Sequence, residues 1–168
     1  KQIDNLVLII GKTEGHIDQS LFARTILNEK NGPPPEVNLF NEKNNGESIL
    51  NLIQKGYIKS AHDVSLGGII TALSKMCIKG NKGIKVRESK NLMNEIEYFF
   101  AEDQGRYIVE INQKDLKEVA KILDKNSVHH EELGIIIDKD MIINKKTIIS
   151  IDELKSYNTN WLTNYMSS

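Results

Sequence analysis

The chain has 168 residues, 39% of them hydrophobic and 27% charged, with 22 basic and 23 acidic side chains and a formal net charge of −1. That length suffices for one domain with its own core, and the charge balance leaves no electrostatic footprint for nucleic acid or an anionic membrane surface. One cysteine excludes an internal disulfide, no stretch reaches the roughly 20 apolar residues of a membrane span, and the start lacks a signal-peptide pattern, so the default expectation is a cytoplasmic location.

Leu6-Val7-Leu8-Ile9-Ile10 is an unbroken apolar run closed by Gly11 and reads as a buried strand. A polar loop with two glycines, residues 11–16, follows. Ser20 is placed to cap a helix over residues 21–27, with Leu21, Phe22, Thr25 and Ile26 as its inner face. Pro33-Pro34-Pro35 forbids helix and reads as an extended connector inside the domain. Leu39, Phe40, Ile49, Leu52 and Ile53 suggest a second helix ending at Gly56, with Asn44-Asn45-Gly46 as a break or a start.

The most informative stretch runs from Lys59 to Ile70. A short extended run leads through His62, Asp63, Val64 and Ser65 into Gly67-Gly68, and a helix follows whose Ile69, Ala72, Leu73, Met76 and Cys77 share one buried face. Ser65 is the expected N-cap and Gly80 the expected left-handed C-terminal cap. Gly67 and Gly68 bare backbone N–H groups, so either another backbone or an anion can approach closely. Asp63 and Ser65 should be exposed at this elbow.

Gly83-Ile84-Lys85-Val86 reads as a strand, residues 92–100 as a short helix, and Gln104-Gly105 as a turn into the strand Arg106–Ile111. Asp115, Leu116, Val119, Ala120, Ile122 and Leu123 mark an amphipathic helix. Residues 128–133 suggest an edge strand and Ile135-Ile136-Ile137 another, before a hairpin that turns at residues 144–146. A final helix starts near Ile151, with Trp161, Leu162 and Tyr165 available to pin its end. Strands interleaved with helices, with a late hairpin, indicate a single α+β domain (layered α/β) over residues 1–168, a mixed sheet with packed helices.

His62-Asp63-Val64-Ser65-Leu66-Gly67-Gly68 resembles the Gly-rich elbow in the C-terminal domain of the phosphoribosylformylglycinamidine synthase family. Three further stretches resemble the same domain in the same order. They are Ile10-Gly11-Lys12-Thr13-Glu14-Gly15-His16 with Gln19-Ser20, then Gly32-Pro33-Pro34-Pro35-Glu36-Val37-Asn38-Leu39, then residues 99–109 with Glu102-Asp103-Gln104-Gly105-Arg106 at their centre. The C-terminal run from Glu153-Leu154 to Tyr165-Met166 is similar as well. The resemblance implies a fold like the C-terminal domain of aminoimidazole ribonucleotide synthetase, and a chain that is the last domain of a longer, multidomain large subunit (synthase II).

That resemblance also implies an ATP-dependent amidoligase of purine biosynthesis. It would turn formylglycinamide ribonucleotide, ATP and glutamine-derived ammonia into formylglycinamidine ribonucleotide, ADP and phosphate, with Mg²⁺ on the nucleotide. The implied partners are the preceding domains of the subunit, a glutaminase subunit and a small bridging subunit. Catalytic and metal-binding groups belong, on this resemblance, to the preceding domains, so no catalytic residue and no metal ligand is assigned here. Asp63, Ser65, Gly67 and Gly68 are the candidates for a nucleotide or phosphate, and His16 and His62 for lining the cleft. Lys12 and Arg106 are possible anion contacts. Leu66 stands where the family commonly has an acidic residue, and Asp18 where a glycine is usual. The alternatives are a structural or assembly module, and a related ATP-dependent synthetase of the same superfamily. A filled elbow favours the first alternative and a bound anion the enzyme.

Overall fold

The computed structural model describes residues 2–87 and 94–167. Its centre is a seven-stranded sheet in the order β2-β4-β1-β5-β3-β6-β7, formed by β1 (Leu6–Ile10), β2 (Ile58–Val64), β3 (Gly83–Val86), β4 (Arg106–Ile111), β5 (His130–Ile137), β6 (Met141–Ile143) and β7 (Thr147–Ile149). All neighbours are antiparallel except β3 and β6.

Side-chain alternation divides the apolar residues of β1 between two cores. Val7 and Ile9 pack beneath α2 (Gly68–Gly80) and α3 (Glu95–Phe100), whereas Leu6, Leu8 and Ile10 pack beneath α1 (Leu39–Gln54) and α4 (Leu116–Lys125). A strand covered on both faces needs no polar alternation, which accounts for its unbroken apolar sequence. Leu73 of α2 is 1% exposed, and truncating such a side chain to Ala costs about 2–5 kcal/mol. The architecture is thus helix, sheet, helix: the layered α+β fold expected from the sequence.

Several local expectations are corrected. Residues 21–27 do not form an inward-facing helix. The segment is helical from Leu21, α at residues 21–22 and π over Ala23–Leu27, but only part of the expected inner face is covered: Ala23 is buried, the half-buried Phe22 ring lies 4.7 Å from that of Phe100, and Leu21, Thr25 and Ile26 face solvent. Ser20 nevertheless caps it, accepting from the Ala23 N–H at 3.1 Å. Asn44-Asn45-Gly46 neither breaks nor starts α1, which begins at the Asn38 cap; the Asn44 and Asn45 amides donate to the Asn126 and Gly105 carbonyls. The helix cap after α2 is Asn81 (φ 48°) rather than Gly80, since Asn tolerates the left-handed region.

The expected start of α3 at residue 92 lies outside the described residues; Asn94 caps the helix, with Oδ1 accepting from the Ile96 N–H at 2.7 Å. The two strands expected over residues 128–137 are one strand, β5, and it is interior rather than an edge. Its register against β1 shifts between Val7 and Leu8: Gly134 pairs with Val7 and Glu132 with Leu8, so Leu133 between them bulges. The hairpin β6–β7 forms as expected, with Asn144 and Lys145 at positive φ. Finally, Trp161, Leu162 and Tyr165 do not pin α5 (Ile151–Ser167): all three are exposed, while Ile151 enters the core and Leu154 packs against it.

Candidate functional site

Strands β1 and β2 finish at one end of the sheet, where β4 and β5 begin. The connecting loops there enclose a polar cleft of about 590 Å³, whose walls include Lys12, Glu14, His16, Asn38, Glu42 and His129. The first wall is the loop of residues 11–16. It leaves β1 at Gly11, where φ is +93° and a Cβ would stand 2.8 Å from the Gly105 carbonyl oxygen, so only glycine fits.

The loop is held from inside. Asp103 accepts three successive backbone N–H groups, from Glu14 (3.0 Å) and Gly15 (3.2 Å) on Oδ2 and from His16 (3.1 Å) on Oδ1. Beneath it Arg106, 1% exposed, donates to the Asp103 carbonyl at 3.1 Å, the Thr13 hydroxyl at 3.0 Å and the Ala101 carbonyl at 2.7 Å. Burial lowers the guanidinium pKa from its ordinary value, while the Asp103 charge opposes that shift. Arg106 is therefore a spent internal donor and not an anion contact on the surface. Lys12 is exposed and paired with Glu14 at 2.8 Å, which raises its ammonium pKa.

His16 is on the wall of this cleft, and its Nε2 lies 2.9 Å from the Pro33 carbonyl, joining the loop to the proline connector. His62 is elsewhere: it sits on the edge strand β2, half-buried, with Nδ1 2.6 Å from the Asp63 carbonyl. Asp63 and Ser65 are exposed at the elbow. Ser65 does not cap α2 through its hydroxyl; its carbonyl instead accepts from the Gly68 N–H at 2.9 Å, and Gly67, at φ 83°, occupies the cap position. The Gly67 N–H donates to Glu102 Oε1 at 2.7 Å. At Gly68 (φ +69°) a Cβ would lie 2.6 Å from the Phe99 carbonyl oxygen and 2.7 Å from that of Ala101. Of the two approaches that bare glycines allow, the described structure shows the backbone approach.

Sequence reasoning missed Glu102, Asp103 and Asn45 as organisers of this end of the sheet. The available signal was an acidic pair placed just before a Gly-Arg step into an apolar strand. A carboxylate there has loop N–H groups within reach, and an Arg on the inward face of β4 has no solvent route. His129 pairs with Glu131 at 2.8 Å and His130 lies 3.2 Å from the Val128 carbonyl. Among the described residues no three His, Cys, Asp or Glu side chains converge as metal ligands. With Arg106 spent and Lys12 paired, the cleft residues do not by themselves fit an ATP–Mg²⁺ group.

Residues 2–144 match the family described as AIR synthase related protein, C-terminal domain. The chain belongs to that family. Within it, the chain is 67% identical over 168 residues to the phosphoribosylformylglycinamidine synthase subunit PurL of Pelagibacter ubique, an alignment that covers 100% of this chain and 23% of that protein. It is 35% identical over 160 residues to the PurL of Bartonella henselae, covering 95% of this chain and 22% of that one. The chain therefore spans less than a quarter of the length of these relatives. Among solved structures, T. maritima PurL complexed with FGAR superposes with a TM-score of 0.76 at 20% identity, over 92% of this chain and 28% of that chain. The hydrogenase maturation protein HypE of E. coli gives 0.64 at 13% identity, over 89% and 50%. At these identities the structural likeness establishes the fold alone, and it is the AIR synthase-related fold expected from the elbow and its companion stretches.

Proposed function

We propose that this chain works as the C-terminal domain of a phosphoribosylformylglycinamidine synthase large subunit. The reaction would convert formylglycinamide ribonucleotide, ATP and glutamine-derived ammonia into formylglycinamidine ribonucleotide, ADP and phosphate. The observation that carries this reading is the 67% identity along all 168 residues to a PurL subunit. The domain's own part is to supply one polar wall of a substrate pocket completed by other domains. On the family resemblance the ATP and Mg²⁺ contacts fall to those domains; in this one Arg106 is engaged by Thr13 and Ala101, and Lys12 by Glu14.

On this reading His16 and the exposed Asp63 and Ser65 face the shared pocket along one end of the sheet, with Gly67 and Gly68 shaping the elbow behind them. His62 flanks the same end from β2. The partners are the preceding domains, a glutaminase subunit and a small bridging subunit, in the cytoplasm; a T. maritima structure named PurLQS supports assembly of the related subunit into a complex. The filled elbow favours a structural role for the glycine pair itself, and so a joint rather than a phosphate cradle at Gly67. The test is genetic and kinetic. The full-length gene should restore growth without purines to a strain lacking the large subunit, and Ser65→Ala in it should raise KM for the ribonucleotide. Failure to restore growth with a soluble protein would reject the assignment.

A further inference from the structure

We propose that Glu102, Asp103 and Arg106 form one positioning unit that sets the backbone of the cleft loop and ties it to the elbow. Asp103 alone satisfies the N–H groups of Glu14, Gly15 and His16, so the direction in which Lys12, Glu14 and His16 enter the cleft depends on one carboxylate. Asp103 is in turn fixed by Arg106, which holds its carbonyl, reaches across to Thr13 at the start of the same loop, and places Nη1 3.6 Å from Asp103 Oδ2.

Glu102 extends the unit in the other direction. Its own N–H donates to the His16 carbonyl at 3.1 Å, and its Oε1 accepts at 2.7 Å from both Leu21 and Gly67. Consecutive carboxylates on one short segment thus hold the cleft loop on one side and the first turn of α2 on the other. Movement of the loop on ligand binding is transmitted through this segment to the elbow, because the adjacent residues Glu102 and Asp103 carry both sets of bonds. These residues act through the loop and are positioning residues. Their effect on turnover rests on the reading that the cleft receives the ribonucleotide substrate; their effect on the loop does not.

The experiment is amide hydrogen exchange on the full-length protein, with ribonucleotide kinetics on the same samples. Asp103→Asn keeps the shape but leaves one acceptor oxygen where two served three donors. A bond to a charged acceptor is worth enough that exchange at residues 14–16 should quicken about tenfold or more, and by a larger factor than in β1 and β4. KM for the ribonucleotide should rise with kcat nearly constant. Glu102→Gln should quicken exchange at Leu21 and Gly67 and also at residues 14–16, and the double variant should fall short of the product of the single effects. Unchanged exchange at residues 14–16 in Asp103→Asn, or an equal rise throughout the sheet, overturns the positioning role. Effects of Glu102→Gln confined to Leu21 and Gly67, with multiplicative double-variant behaviour, overturn the coupling. The expected exchange pattern with an unmoved KM overturns the cleft's substrate role and leaves the positioning unit standing.

Discussion

Arg106 is the largest fully buried side chain among the described residues, and its surroundings define what a residue can do at this end of the sheet. Replacing it with Met would strand the Ala101 and Asp103 carbonyls and remove the cation beside a buried carboxylate. Breaking such a pair costs about 3–5 kcal/mol, to be read from urea unfolding of the variant; a loss below about 1 kcal/mol would show that the network relaxes. Glu110 is buried as well. Burial alone would push its carboxyl pKa up, but donors on Ser60 (2.7 Å), Asn5 (2.8 Å) and the Gln2 N–H (3.0 Å) outweigh that and hold it below its ordinary value of 4.5. A carboxyl depressed on folding contributes stability above its unfolded pKa and loses it as pH falls through the folded one. Glu110→Gln should therefore reduce the loss of stability on acidification below pH 4.5, compared by urea midpoints at neutral and acid pH. An unaltered acid limb would contradict it.

Among the elements, the elbow is sensitive to a single methyl group. Gly68→Ala places a Cβ 2.6 Å from a backbone oxygen at a positive φ, so it combines strain with overpacking. The expected loss is at least about 2 kcal/mol, measured by the urea midpoint, whereas Gly56→Ala, with open space around it, should lose only the cost of its φ. The elements that sequence periodicity reveals are those with one clear environment: β1, covered on both faces, and α2, whose inner stripe is Ile69, Ala72, Leu73, Met76 and Cys77. Periodicity misleads where an element's surroundings depend on distant chain. β5 reads as two strands because its bulge interrupts the alternation, and residues 21–27 read as a core helix although Leu21, Ile26 and Leu27 face outward. At the site, His16 is legible from the glycine loop. Asp103 is not, because its three partners lie 87 to 89 residues away in sequence.

At the scale of the whole molecule, outward apolar residues acquire a meaning. Leu39 and Phe40 are 76% and 77% exposed at the start of α1, and Trp161 and Met166 stand out from α5 at 61% and 76%. On the proposed reading, such surface is buried against the preceding domains of a longer protein. Trp161 is the one tryptophan of the sequence and reports this directly. In the 168-residue chain its fluorescence should be quenched by acrylamide almost as readily as free tryptophan; a shielded Trp161 would mean that α5 folds back and covers its own apolar side chains.

The decisive measurement is ATP- and ammonia-dependent formation of formylglycinamidine ribonucleotide, by the 168-residue chain alone and by the full-length protein, each verified by intact mass. Turnover by the full-length protein and none by the 168-residue chain is the predicted result. Turnover by the chain alone would contradict it, moving catalysis into this domain and making Asp63 and His62 the first residues to substitute.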